Sequence, residues 1–244
     1  MQRLARPLRT AVLSSPLRAF TTPKTTTSRI PLPQTVRMSS TAVTSAEPFL
    51  AAVKNRRTIY TLDKNLPIST DRVQEIVQRL LQDIPSSFNS QSNRVLVLFG
   101  AEHDKFWDIT TEILKGIVPE AQFASTAARL AGFRGGAGTV LFFEDWTVVE
   151  GMQEKFAVYA DRFGPWAGHS DAMLQFAVWT ALEAEGVGAN LQHYNPLVDA
   201  KVAEEWKVPS SWKLVAQLVF GGKTAEAGEK TFGPLEEKYK VFGA

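Results

Sequence analysis

Two short stretches carry side chains suited to a charged, planar ligand. Arg56-Arg57-Thr58 sets two guanidiniums and a hydroxyl in a row. That donor set fits a phosphate monoester through charge-assisted, partly bidentate hydrogen bonds. Adjacent arginines at a helix C-terminus also complement the helix dipole, so the triplet alone equally describes a solvated helix end. The run Ser86-Ser87-Phe88-Asn89-Ser90-Gln91-Ser92-Asn93 either makes a surface turn or offers donors and acceptors to a planar polar ring. The chain has no Cys and three His: His103, His169 and His193. Thiolate nucleophiles, disulfides, Fe–S clusters and sulfur-ligated zinc are excluded, and no HExxH or close His pair supports a metal enzyme. Any chemistry falls to other side chains or to a bound cofactor.

Two glycine-rich spots fail as nucleotide motifs. Gly222-Lys223-Thr224 resembles the end of a phosphate-binding P-loop, but the glycine required five positions earlier is Gln217, inside an expected strand. Gly132 to Gly138 lies before a strand, whereas the dinucleotide fingerprint follows one and opens a helix; it reads as a flexible turn.

The elements that position these residues follow from hydrophobic period. Phe49, Leu50 and Val53 form a stripe behind Pro48, so a helix runs from Glu47 into Asn55 and delivers the Arg-Arg-Thr triplet at its end. Thr70 or Asp71 caps a second helix with Val73, Ile76, Val77, Leu80 and Leu81 inward. The polar loop from Ser86 leads into an apolar run, Val95 to Phe99, read as a buried strand. Helices are expected near 102–115 and 120–131, a buried strand at 139–143, and a helix from about Val148 to Phe163 that Gly164-Pro165 ends. Asp171 to Glu185 is apolar on nearly all sides, as in a helix at a domain centre or a subunit interface. Ala189 to Tyr194 forms a short strand or extended turn, a small helix covers 197–206, and Leu214 to Phe220 is a third strand. From Gly221 the tail is polar and charged until Val241-Phe242. This irregular interleaving, without repeats, indicates one α+β domain over residues 47–244.

The charge balance divides the chain. Of its 27 basic residues seven lie in residues 1–46, which hold no acidic residue, leaving 20 basic against 25 acidic side chains in the rest. The folded part is therefore acidic, a poor surface for nucleic acid. The first segment is rich in Arg, Thr, Ser and Pro, the composition of a mitochondrial transit peptide. A disordered arm, or an extension bypassed when translation starts at Met38 and the protein stays in cytoplasm or nucleus, fits the same composition. No run reaches the roughly 18 apolar residues of a membrane span.

Taken jointly, the two candidate stretches resemble the FMN-dependent nitroreductase family. An Arg-x-Ser/Thr element in the first core helix, then about thirty residues on a Ser-x-Asn-x-Gln loop entering a strand, is that family's N-terminal layout; here it reads Arg56-Arg57-Thr58 and Ser87-Phe88-Asn89-Ser90-Gln91. Gly186-Val187-Gly188-Ala189-Asn190-Leu191-Gln192-His193-Tyr194-Asn195 looks like the segment that passes the flavin ring, and Lys230-Thr231-Phe232-Gly233-Pro234 like the C-terminal phosphate contact. Pro85 to Ser92, Leu141-Phe142-Phe143-Glu144-Asp145, Ala181 to Gly186 and Leu191 to Pro196 look like the small fungal and bacterial branch known for the yeast fatty-acid-repression nitroreductase.

The resemblance implies a mainly antiparallel central sheet surrounded by helices, and a homodimer with FMN between the subunits. It makes the apolar segment around Trp179 a dimer helix. It also implies electron transfer from NADH or NADPH to a small nitroaromatic or quinone-like acceptor by a ping-pong mechanism, in an oxidative-stress or lipid-signalling setting. A flavin-binding regulatory protein of lipid metabolism with little turnover is the alternative. Carried over, Arg56, Thr58 and Lys230 would hold the FMN phosphate, with Arg57 beside phosphate or ribityl chain. Asn89 would meet the isoalloxazine edge with Gln91 as a weaker neighbour, while Gln192 and His193 would present backbone groups near N5. No protein acid or base is required, because the flavin carries the chemistry. Two departures stand out. Ser92-Asn93 replaces the Pro-Trp of many relatives, and Phe232 stands where a second cation follows the lysine, so Arg57 would supply the missing charge.

Overall fold

The structure, a computed structural model, describes residues 45–244. The expected transit peptide lies almost wholly outside the described residues.

Helix α1 (Glu47–Asn55) starts with Pro48 in its first turn and ends where Arg56 turns extended (φ −61°, ψ 119°). None of its residues is buried, so the stripe of Phe49 and Leu50 faces outward. The chain then makes a two-residue strand, β1 (Leu62–Asp63), and enters α2 (Thr70–Asp83). Ser69 caps α2, rather than Thr70 or Asp71: its Oγ accepts from the N–H of Arg72 at 3.1 Å. A 3-10 turn at Ser87–Asn89 precedes β2 (Asn93–Phe99), after which α3 (Gly100–Lys115) and α4 (Glu120–Arg134) lead to β3 (Gly138–Asp145). Helix α5 (Trp146–Lys155) is followed by a second 3-10 turn, Ala157–Tyr159. The long helix α6 (Ala160–Ala184), strand β4 (Gly188–Gln192), helix α7 (Asp199–Trp206) and strand β5 (Trp212–Lys223) complete the order.

The sheet runs β1-β5-β3-β2, with β4 also on β5, and every pairing is antiparallel. Inward alternation along β3 splits the core. Val140 and Phe142 join Leu218 and Phe220 under α2 and α6, whereas Leu141 and Phe143 join Phe106, Trp107 and Leu130 on the other face. The α+β architecture with a central antiparallel sheet is as expected.

Three local expectations are corrected. Gly164-Pro165 does not end a helix: Pro165 lies inside α6, and the break falls at Phe156 (φ −127°, ψ 61°). Pro165 is only the sixth residue of α6, so it removes one early backbone bond, and burial of Phe163, Ala167 and Leu174 outweighs that loss. Gly221-Gly222-Lys223 belongs to β5, not to a polar tail, because β1 pairs there. A Cβ on Gly222 would stand 2.2 Å from Asn65 O, so this glycine serves close backbone packing. Gly132 to Gly138 is not a flexible turn throughout: α4 runs to Arg134, and Gly138 is buried in β3, where a Cβ would stand 2.3 Å from Phe220 Cζ.

Helix α6 is apolar all round for two reasons at once. Leu174, Val178 and Leu182 fill the core, while Met173 and Phe176 on the opposite stripe remain 42% and 37% exposed. No helix of the described residues is long and apolar enough to cross a membrane, and no His/Asp/Glu cluster among them fits a metal.

Candidate functional site

The triplet after α1 is locked to β4. The N–H of Ile59 donates to Ala189 O at 2.9 Å, and Asn190 Nδ2 returns a bond to Ile59 O at 2.9 Å. Gln192 Nε2 extends this line to Asn190 Oδ1 at 2.8 Å. Arg56 and Thr58 are half-buried, and the Arg56 guanidinium stacks over the Trp179 ring at 4.4 Å. Arg57 donates to the carbonyl of Gly228, which draws the C-terminal segment with Lys230 toward the triplet. Lys230 lies 5.1 Å over the Phe232 ring, so Phe232, standing in place of a cation, supports the lysine from below. Among the described residues none of Arg56, Arg57 and Lys230 forms an ion pair. Unpaired cations and a hydroxyl on one set of backbone ties fit a phosphate group, and the indole N–H of Trp179 is buried without a partner beside them.

At the far end of β4 a pocket of about 450 Å³ opens, lined by Tyr60, Ala128, Arg129, Gly132, Phe133 and Gln192. Its size is in the range of small-molecule sites. Tyr60 lies two residues beyond Thr58, with Ile59 between them, so the same short segment carries the triplet and one wall of the pocket. Sequence reading missed Tyr60 and Arg129, since nothing in the period of α4 distinguishes a pocket-facing arginine from a solvated one. His193 is exposed just beyond β4.

The loop with Asn89 and Gln91 is strained and pinned. Phe88, Asn89 and Gln91 have φ of 56°, 53° and 53°, a left-handed conformation costing side-chain-bearing residues about 1–2 kcal/mol each. Ser86 Oγ accepts from the N–H of Gln91 at 2.9 Å, and Arg94 Nη1 donates to Gln91 O at 2.8 Å. Arg94 Nη2 is itself held by Asp145 Oδ2 at 2.9 Å. Asn89 and Gln91 are exposed. Phe88 packs on Phe156, Phe163 and Trp166 with centroids 4.7, 5.7 and 6.2 Å away, yet stays 55% exposed.

Within the chain this loop does not meet the phosphate-type cluster. Asn93 aligns through Glu144 with Lys213, whereas Ile59 aligns through Ala189 with Phe220, seven residues further along β5. At about 3.3 Å per residue and about 4.8 Å per strand spacing, the two lie roughly 30 Å apart.

Behind the loop lies a buried acidic pair. Burial, then the neighbouring Asp171, pushes Glu144 up to about 7; burial raises Asp171 to about 6 against an opposing hydrogen bond from Gln175. His103 is different. Buried against the sheet, it is pushed down to about 4, and Trp107 Nε1 donates to Thr139 Oγ1 at 3.0 Å, which leaves that hydroxyl to donate to His103 Nδ1 at 2.8 Å. His103 is a neutral core residue.

A mainly antiparallel sheet, a basic triplet tied to its edge and a pocket at the end of β4 define a nitroreductase-type fold. The family model described as "Nitroreductase family" matches residues 53–222, and the chain belongs to this family. The nitroreductase FRM2 of Saccharomyces cerevisiae is 38% identical over 186 residues, covering 75% of this chain and 92% of the relative. The nitroreductase CinD from Lactococcus lactis, solved with chloramphenicol, is 45% identical with a TM-score of 0.74, covering 80% of this chain and 100% of that one; it has also been solved with 4-nitrophenol and with nicotinic acid. The FMN-dependent nitroreductase NfnB from Mycobacterium smegmatis, solved with NADPH, shares the fold at 15% identity and a TM-score of 0.63, covering 81% of this chain and 99% of that one. The chain is a nitroreductase-type oxidoreductase.

Proposed function

We propose that the chain binds FMN and transfers electrons from NADH or NADPH to nitroaromatic or quinone-like acceptors by a ping-pong mechanism, as a homodimer. The observation that carries this reading is that Arg56 and Arg57, free of ion pairs among the described residues, precede Tyr60 of a pocket that ends at Gln192, with Gly228, two residues before Lys230, bonded to Arg57. Bound FMN would supply hydride acceptance and electron delivery, so no protein acid or base is needed. Arg56, Arg57, Thr58 and Lys230 would hold the phosphate, each charged hydrogen bond contributing roughly 1.5–3 kcal/mol. Gln192 and His193 would present backbone groups to the ring, with Tyr60 and Phe133 closing the slot against water.

Asn89 and Gln91 would come from the second copy, since they lie too far from the triplet of their own protomer to share one flavin with it. The exposed apolar stripe of Phe49, Met173 and Phe176, continuous with a groove of about 400 Å³, supports pairing along α6. CinD complexes with chloramphenicol and 4-nitrophenol support a small aromatic acceptor. Residues 47–244 would form the FMN-binding domain, and residues 1–46 would direct it to mitochondria unless translation starts at Met38; fractionation of cells expressing each start distinguishes these.

The test is the visible spectrum of the purified protein before and after anaerobic NADH or NADPH, followed by a nitroaromatic. A flavin band that bleaches and recovers supports the proposal. A colourless protein that also refuses added FMN refutes it, and FMN binding without turnover favours the regulatory alternative.

A further inference from the structure

The strained loop is also held from beneath. Ser170 on α6 accepts from Asn93 Nδ2 at 3.1 Å and donates to Pro85 O at 2.9 Å, so it ties both ends of the loop to one helix. Asn93 is the cross-strand neighbour of Glu144. A Cβ on Gly168 would lie 3.4 Å from Glu144 Oε1, which brings α6 directly over this carboxyl, and Asp171 follows Ser170 on the same helix. Glu144 and Asp171 are 7% and 0% exposed.

Among the described residues no cation forms an ion pair with Glu144 or Asp171. From β2, Arg94 is committed to Asp145 of β3 at 2.9 Å. From β5, Lys213 aligns with Glu144 but donates to Ser210 O at 3.1 Å. His169 of α6 forms no hydrogen bond or ion pair among the described residues. Asp171 Oδ1, Asn93 Oδ1 and Ser92 Oγ are buried without partners. The Ser92 hydroxyl carries the one proton among these unpartnered atoms, so a carboxyl proton on the pair adds a second donor where acceptors are in excess; two carboxylates add none and repel at low dielectric.

We propose that Asn93 and Ser170, backed by the Glu144–Asp171 carboxyl pair, are positioning residues that hold Asn89 and Gln91 in place only while the pair keeps a proton. The consequence for cofactor rests on the reading of that loop as flavin-facing. Full ionisation pushes α6 from β3 or admits water, which breaks the Asn93–Ser170–Pro85 relay. The left-handed residues above it then relax toward conformations that no longer present both side chains.

The test uses the full chain in two parallel measurements, at about pH 5.5 and about pH 8.5. One is hydrogen exchange of peptides covering residues 86–93, corrected for intrinsic rate; the other is titration with FMN and with riboflavin, which lacks the titrating phosphate. A coupling of half a pKa unit gives about a threefold change. Wild type should lose that much loop protection and flavin affinity at the higher pH. Glu144→Gln, or Asp171→Asn if the first variant does not fold, should keep both, and Ser170→Ala should leave the loop unprotected at either pH. Equal pH dependence in wild type and the carboxamide variants overturns the proposal. If no protein binds flavin, the functional reading falls while the exchange measurement still decides the positioning role.

Discussion

Replacing Glu144 by Gln should stabilise the protein at alkaline pH and do little in acid. The carboxyl is 7% exposed and its pKa is raised from 4.5 to about 7, chiefly by burial. Because the folded value lies above the unfolded one, the native state holds a proton that the unfolded chain has released. Glu144 therefore supports the fold fully below about pH 4.5, and that support is lost as pH rises through about 7. The limiting difference is about 3 kcal/mol, since each tenfold change in proton affinity is worth about 1.36 kcal/mol. For a domain of this size that corresponds to a Tm gain of roughly 6–12 °C at pH 8. Thermal melts of wild type and variant across the acid-to-alkaline range are the assay. A gap between the two curves that stays constant with pH would refute the buried-proton argument. Asp171, raised from 3.8 to about 6, acts in the same direction, so Asp171→Asn should reproduce the trend.

Three other variants probe separate parts of the molecule. Arg56→Ala with Arg57→Ala should weaken FMN at least about 100-fold, measured by flavin fluorescence, since two charged hydrogen bonds are lost. His193→Ala should change FMN affinity and turnover by no more than about twofold, because its side chain is exposed and the proposed role belongs to its backbone. Thr139→Val should cost about 2–4 kcal/mol in denaturant unfolding, since it strands the indole N–H of Trp107 and Nδ1 of His103 in the core.

Much of the fold was legible because its signals are local. Val95 to Phe99, Thr139 to Phe143 and Leu214 to Phe220 are apolar runs too dense for a surface, and they are the three long strands. The helix ending at the Arg-Arg-Thr triplet was legible from Pro48 and the apolar stripe, though the stripe itself turned out to face outward. Pro165 misled, because a proline's effect depends on how much packing surrounds it and on how near it lies to the helix start. Strand β1 was invisible: two residues carry no period, and Leu62-Asp63 is a strand only because Lys223 and Gly222 lie beside it.

The candidate site divides the same way. Gln192, His193 and Lys230 entered as candidates only through the family resemblance, whereas residue type and spacing singled out Arg56, Arg57 and Thr58 and the loop with Asn89 and Gln91, because donor chemistry and short spacings are properties of the chain. Their grouping is not. Only folding brings Gly228 to Arg57 and Ala189 to Ile59, and only the sheet register carries Asn89 and Gln91 to the opposite corner. Arg129 entered the pocket, and Glu144 and Asp171 became a buried pair, through contacts between residues far apart in sequence. Periodicity records which side of an element is apolar; which polar groups meet across elements, and how much water remains around them, is settled by packing alone.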